Sequence, residues 1–143
     1  MTTLRMTRTL AFDAGHRLLN HESKCAHVHG HRFVVEVTLE LSPGAALDRA
    51  GRIVDFGDVK ERLGGWIDRN LDHAFIANEA DPIVAWLEEH EQRRHVVAFE
   101  PSAENLAAYL LEVAQGLLDV CDVRRVVSLV VHETPNGRAE ATS

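Results

Sequence analysis

A chain of 143 residues, 45% hydrophobic, has enough apolar material for one packed core, and its two cysteines are too few for a disulfide framework. A net charge of −7, from 15 Lys+Arg against 22 Asp+Glu, argues against a nucleic-acid binder, and no apolar run approaches the roughly 20 residues of a membrane span. With no basic-then-apolar leader and no Walker A, dinucleotide-binding or Gly-x-Ser-x-Gly pattern, the expectation is a soluble cytoplasmic protein of one domain, residues 1–143, outside the P-loop, Rossmann and serine-hydrolase classes.

The first predicted strand runs from about Leu4 to Ala14, with Leu4, Met6, Leu10, Phe12 and Ala14 in register, so the next position on that face is His16. A polar loop, Arg17 to Val28, carries Cys25 and is too long for a tight hairpin. From His29 the chain alternates again: His29, His31, Phe33, Val35, Val37, Leu39 and Leu41 share one face, and Arg32, Glu36, Thr38 and Glu40 the other. After Ser42-Pro43-Gly44, Asp55 is a plausible N-cap for a helix with Val59, Leu63, Trp66, Ile67 and Leu71 inward, although Gly64-Gly65 in its middle costs about 1 kcal/mol per glycine relative to alanine. Asp81-Pro82 opens a short helix with Ile83, Trp86, Leu87 and His90, and Glu88 to Arg94 reads as a solvated charge run. Val96 to Phe99 is a short extended piece. Ser102 caps a helix carrying Leu106, Tyr109, Leu110, Val113 and Leu117, and the chain closes with a strand from Val123 to His132, a turn at Pro135-Asn136-Gly137 and a last strand from Arg138. Strand pairs separated by helices predict an α+β protein with a four-stranded antiparallel sheet and helices on one face.

The chemistry gathers around Cys25-Ala26-His27-Val28-His29-Gly30-His31. Residues i and i+2 of a strand lie about 6.6 Å apart on one face, close enough for His29 and His31 to converge on one ion at about 2.0–2.1 Å each. Three histidines with no acidic ligand would leave zinc its full charge and an open fourth position, the catalytic arrangement. A structural site of one cysteine and three histidines is the alternative, because the Cys25 to His29 spacing also permits ligation. As a nucleophile or base, Cys25 needs its thiolate, which a nearby metal or imidazolium favours. Cys121 reads as a buried structural cysteine.

Asp72-His73 follows the first helix, where a carboxylate beside an imidazole orients it and stabilises its charged form; capping at a helix end explains the same pair without any catalysis. Glu133 shares the side of Val127, Leu129 and Val131, so its carboxylate either reaches solvent at the strand end or meets a ligand bearing donors. Glu104, in the first turn of a helix, is electrostatically comfortable without a function.

Six ordered stretches carry a resemblance across almost the whole chain: Phe12-Asp13-Ala14-Gly15-His16, Cys25-x-x-x-His29-Gly30-His31, Gly51-x-Ile53-Val54-Asp55-Phe56, Leu71-Asp72-His73, Pro101-Ser102-Ala103-Glu104-Asn105 and His132-Glu133-Thr134. Together they resemble the 6-pyruvoyltetrahydropterin synthase/6-carboxytetrahydropterin synthase superfamily. The resemblance implies Zn2+ ligands at His16, His29 and His31, a catalytic thiol at Cys25 with Asp72 and His73 as partners, a pterin anchor at Glu133, and Ser102 and Glu104 near the pterin. It implies the tunnelling fold, in which four-stranded sheets join into a barrel by oligomerisation, as trimers or hexamers, with active sites between subunits. The three-residue gap between Cys25 and His29 resembles the bacterial 6-carboxytetrahydropterin synthases of the queuosine and 7-deazaguanine route. The implied substrate is a pterin triphosphate, 7,8-dihydroneopterin triphosphate. The alternatives are a 6-pyruvoyltetrahydropterin synthase, which keeps the three side-chain carbons, and a non-catalytic zinc- or pterin-binding module.

Overall fold

A computed structural model of the chain describes residues 2–143. Two long alternating segments become β1 (Arg5–His16) and β2 (His29–Leu41), which run antiparallel in unbroken register from Arg5 opposite Glu40 to His16 opposite His29. On the other side of β2 lies β5 (Arg124–Thr134), followed by β6 (Gly137–Thr142), both antiparallel to their neighbours.

This antiparallel centre is the sheet expected from the pattern, but the sheet has six strands and is mixed. β3 (Ala74–Asn78) pairs in parallel with the last three residues of β1, and β4 (Arg94–Val97) pairs in parallel with β3, giving the order β4-β3-β1-β2-β5-β6. The sequence pattern obscures β3 and shows β4 only in part, for a physical reason. β3 is a five-residue strand that buries Ala74, Ile76 and Ala77 without strict in-out alternation, and β4 opens with the polar pair Arg94-His95 and overlaps the expected extended piece only at Val96-Val97, so neither has a period-two pattern although Ile76 and Val97 join the core.

Asp55 does cap the first helix, its Oδ1 accepting from the Gly57 N–H at 2.7 Å. The helix continues through the glycine pair: α1 (Phe56–Val59), a π-helical segment (Lys60–Gly64) and α2 (Gly65–Asn70) form one run. Gly64 packs near β1, where an added Cβ would make contact with Leu10 Cδ2 at 3.4 Å. α3 (Ile83–Glu89) buries Leu87 but leaves Trp86 exposed and stacked on His90. α4 (Ala103–Leu118) starts at the Ser102 cap, and its buried stripe is Leu106, Ala107, Leu110, Leu111, Ala114 and Leu118; Tyr109, Val113 and Leu117 flank it.

The core lies between these helices and one sheet face, where Phe12, Phe33, Val35, Val37, Leu39, Val126, Leu129 and Val131 are all but inaccessible. Each such apolar side chain contributes about 1.5–3 kcal/mol by leaving water. The opposite face is polar and laced across strands by Thr7 with Thr38, Arg32 with Asp13, His132 with Glu36 and Ser128 with Glu140. Cys121 is exposed in the turn between α4 and β5, which corrects its expected burial: the turn ends before the strand enters the core. No helix among the described residues is long and apolar enough to cross a membrane.

Candidate metal centre and active site

The antiparallel register sets His16 directly opposite His29 and Ala14 opposite His31. Three rings therefore project from the apolar face at one end of the β1–β2 pair, with centroids 4.6, 4.8 and 5.2 Å apart. Beneath them lies Phe33, 5.5 Å from both His16 and His31 and stacked on Phe12. Between the histidine positions Gly15 faces Gly30. Both are forced by close approach: a Cβ on Gly30 would meet the Ala14 carbonyl oxygen at 3.1 Å, and one on Gly15 would meet the Phe75 ring at 3.0 Å.

The hydrogen bonds decide which ring nitrogens are available. His16 Nδ1 lies 2.8 Å from the Pro101 carbonyl, and His29 Nδ1 lies 2.7 Å from that of His27. A carbonyl only accepts, so in the neutral rings each Nδ1 carries the proton and each Nε2 keeps a bare lone pair. The Nε2 atoms of His16 and His31 are buried without any hydrogen-bond partner. One donor atom from each of the three histidines lies within 4.8 Å of the others, a cluster able to hold a metal ion. Burial pushes the His16 and His31 imidazoles below their ordinary pKa, against the Pro101 hydrogen bond at His16 and the Glu133 charge at both, and repulsion from neighbouring rings adds to the lowering at each, so both favour the neutral form that ligates. Such buried, unsatisfied lone pairs are costly without a cation, and the residues present fit one.

Glu133, near the end of β5, brings Oε1 to 3.3 Å from His16 Nε2 and 3.8 Å from His31 Nε2. Cys25 sits in a single 3-10 turn (Lys24–Ala26) of the connecting loop, half-buried and outside the donor cluster. Its carbonyl accepts from Leu18 N–H at 2.8 Å, closing the neck of the loop.

Asp72 and His73 lie in the turn before β3. His73 Nδ1 is 3.0 Å from Asp72 Oδ2, and Asp72 Oδ1 accepts from the Asp13 N–H at 3.0 Å. That backbone donor, with help from His73, holds the Asp72 carboxyl below the usual carboxylate range. His73 adopts the left-handed conformation, φ 59°, while its own N–H donates to the Asp13 carbonyl at 2.6 Å. The exposed His73 ring lines a cavity of about 670 Å³ with Arg32, Phe75, Trp86 and Arg93. The dyad is grouped with Asp13, not with the three histidines. Ser102 Oγ accepts from Asn105 N–H at 3.2 Å as the cap of α4, and Glu104 is exposed in that helix's first turn.

Some participants were invisible in the sequence. The Pro101 carbonyl leaves no side-chain signal. Arg93, inside the charge run, donates to the Asp72 and Asp68 carbonyls at 2.8 and 2.7 Å and so pins the dyad's turn. Arg17, the residue after His16, makes a two-pronged pair with the buried Asp81, which also accepts from the Ile83 N–H at the start of α3.

A protein called 6-carboxy-5,6,7,8-tetrahydropterin synthase from Rickettsia bellii is 36% identical over 135 residues, covering 93% of this chain and 96% of that protein. One of the same name from Aquifex aeolicus is 28% identical over 158 residues, with 94% and 95% covered. Among solved structures, an uncharacterized protein from Wolinella succinogenes superposes with a TM-score of 0.83 at 25% identity, covering 100% of this chain and 99% of that one. The 6-pyruvoyl tetrahydropterin synthase of Caenorhabditis elegans shares the fold, with a TM-score of 0.72 at 22% identity and coverage of 100% and 97%. The chain therefore has an α+β tunnelling-type fold with a mixed sheet and inserted helices. The family model for 6-pyruvoyl tetrahydropterin synthase matches residues 5–143, and the chain belongs to that family.

Proposed function

We propose that this protein converts 7,8-dihydroneopterin triphosphate and water to 6-carboxy-5,6,7,8-tetrahydropterin, acetaldehyde and triphosphate, as a zinc-dependent lyase of the queuosine and 7-deazaguanine route. The observation that carries the reading is the convergence of three imidazole donor atoms, two with their tautomer dictated by a backbone carbonyl. The relatives named for this reaction and the three-residue gap between Cys25 and His29 support the choice of product.

On this reading His16, His29 and His31 hold Zn2+. When bound, the ion supplies Lewis-acid polarisation of the substrate's hydroxylated side chain and acidifies its protons. Cys25, as thiolate, accepts a proton from that side chain, and its loop position outside the donor cluster suits a base rather than a ligand. Asp72 accepts from His73 Nδ1, which leaves Nε2 of that ring to exchange protons during internal redox transfer to the pterin ring. Glu133 receives the pterin's guanidine-like edge through two charge-assisted hydrogen bonds, with Ser102 and Glu104 beside it.

The dyad's donor atoms stand outside the histidine cluster, although His73 and His31 line one cavity, and we infer a homo-oligomer, a trimer or hexamer, of the cytoplasm, in which a second copy borders the site. Two sheet edges favour such assembly: β3 accompanies β1 only from Ala14 to His16, and β6 ends the sheet on the other side.

The test is incubation of zinc-loaded protein with 7,8-dihydroneopterin triphosphate, with trapping of the aldehyde and identification of the pterin. Acetaldehyde with a carboxyl group at C6 is expected. A pyruvoyl pterin without acetaldehyde would assign the 6-pyruvoyltetrahydropterin synthase reaction, and no conversion would point to a binding module.

A further inference from the structure

We infer that Glu100, gripped by Asn78 and Asn105, is a positioning residue for the metal centre: it aims the Pro101 carbonyl at His16 Nδ1 and so decides which nitrogen of that ring faces the ion. The inference rests on the metal reading above and concerns residues that touch neither metal nor substrate in it.

Pro101 is buried, and its carbonyl is the partner of a ligand ring that is itself only 1% exposed. A ring so enclosed has no water with which to exchange that bond, so the direction of one carbonyl sets the tautomer. Proline fixes φ, which leaves ψ of Pro101, the tilt of the Pro101–Ser102 peptide, as the main freedom that could swing this carbonyl away. The N–H of that same peptide is tied to Glu100, and Glu100 is held in turn. The Glu100 carbonyl accepts from Ser102 N–H at 2.8 Å and from Asn105 Nδ2 at 2.9 Å. The Glu100 carboxylate accepts from Asn78 Nδ2 at 3.0 Å, while Asn78 Oδ1 accepts from Ala80 N–H at 3.0 Å. On the far side of Pro101, the Ser102 hydroxyl and carbonyl accept from Asn105 and Leu106 N–H groups. Elements far apart in sequence, the end of β3 and the start of α4, thus converge on the residue next to the carbonyl that His16 needs.

Two features of the grip define its test. Glu100 acts through an acceptor oxygen, so Glu100→Gln keeps the bond from Asn78. The Asn78→Ala/Asn105→Ala double variant releases both grips and removes no metal ligand. Zinc affinity is measured by competition with a chromogenic chelator, and the His16 tautomer by 15N NMR of the metal-free protein. The double variant is expected to bind zinc 10–100-fold more weakly, the range for lost outer-shell partners, and to show His16 with its proton shared between Nδ1 and Nε2. Glu100→Gln is expected to stay within about threefold of the parent and keep the Nδ1–H form. A loss of general stability alone would lower the melting temperature without moving the tautomer. The inference is overturned if the folded double variant keeps both parental affinity and parental tautomer, or if Glu100→Gln is as damaging as the double change. Should the double variant not fold, Asn105→Ala, altered at an exposed side chain, is judged on the same two readouts. If the parent protein itself takes up no zinc, the metal reading falls and this inference with it; a zinc-binding parent with indifferent variants defeats the inference alone.

Discussion

Glu133 Oε1 stands 3.3 Å from His16 Nε2, and because His16 Nδ1 is engaged by the Pro101 carbonyl, oxygen and nitrogen meet lone pair to lone pair. His31 Nε2 lies 3.8 Å from the same oxygen, so a cation or a donor-rich ligand entering between them relieves the contact at His16.

Purified protein should carry about one zinc per chain, since three imidazoles make a complete protein ligand set for a catalytic site. His29→Ala and His31→Ala should each lose the metal while retaining the β-sheet signature in circular dichroism. Full occupancy in both variants, by atomic emission, would show the ion to be held elsewhere.

Cys25→Ala should keep zinc and fold while turnover drops by roughly 10²–10⁴, the usual contribution of a positioned acid or base. Metal content and single-turnover rate measured on one preparation separate the roles. Zinc loss in this variant would instead favour the structural site of one cysteine and three histidines.

For Glu133→Gln the expectation is weaker pterin binding at unchanged zinc content, because the amide retains the shape but loses the charge and one acceptor. Competition by neopterin in an equilibrium assay reports it. An affinity equal to that of the parent would remove Glu133 from the pterin site.

The Arg17–Asp81 pair gives a pH signature. The Arg17 guanidinium holds the buried Asp81 carboxyl below its ordinary value of 3.8. An Asp with a depressed folded pKa contributes stability that is present above the unfolded pKa and is lost as pH falls through the folded one. Asp81→Asn should therefore cost roughly 3 kcal/mol between pH 5 and 7, as expected for breaking a buried pair, and the gap to the parent should begin to narrow as pH falls below the ordinary value and close only below the depressed folded one. Urea melts across that range check it. A gap independent of pH would show that the charge of Asp81 contributes nothing to it.

The four long strands, the caps at Asp55 and Ser102 and the shared face of His16, His29 and His31 were legible in the sequence, because they depend on period-two alternation and on short-range hydrogen bonds. The alternation put His16 one position beyond Ala14, and the register of β1 on β2 then set it opposite His29.

Tertiary structure alone decided the rest. β3 and β4 are short parallel strands whose pairing with β1 no side-chain pattern announces, and α4 buries Ala107, Leu111 and Ala114 beside the expected Leu106 and Leu110 while Tyr109, Val113 and Leu117 are left half-buried at its flank, because the sheet it packs on selects the buried stripe. The outer support of the metal centre depends on a carbonyl at Pro101, 85 residues from His16, and the dyad's turn on Arg93 from what read as a solvated run. Composition and periodicity determine which residue types face inward. Which backbone atom meets which ring is settled only when distant segments are packed together, since every peptide offers the same donor and acceptor whatever its side chain.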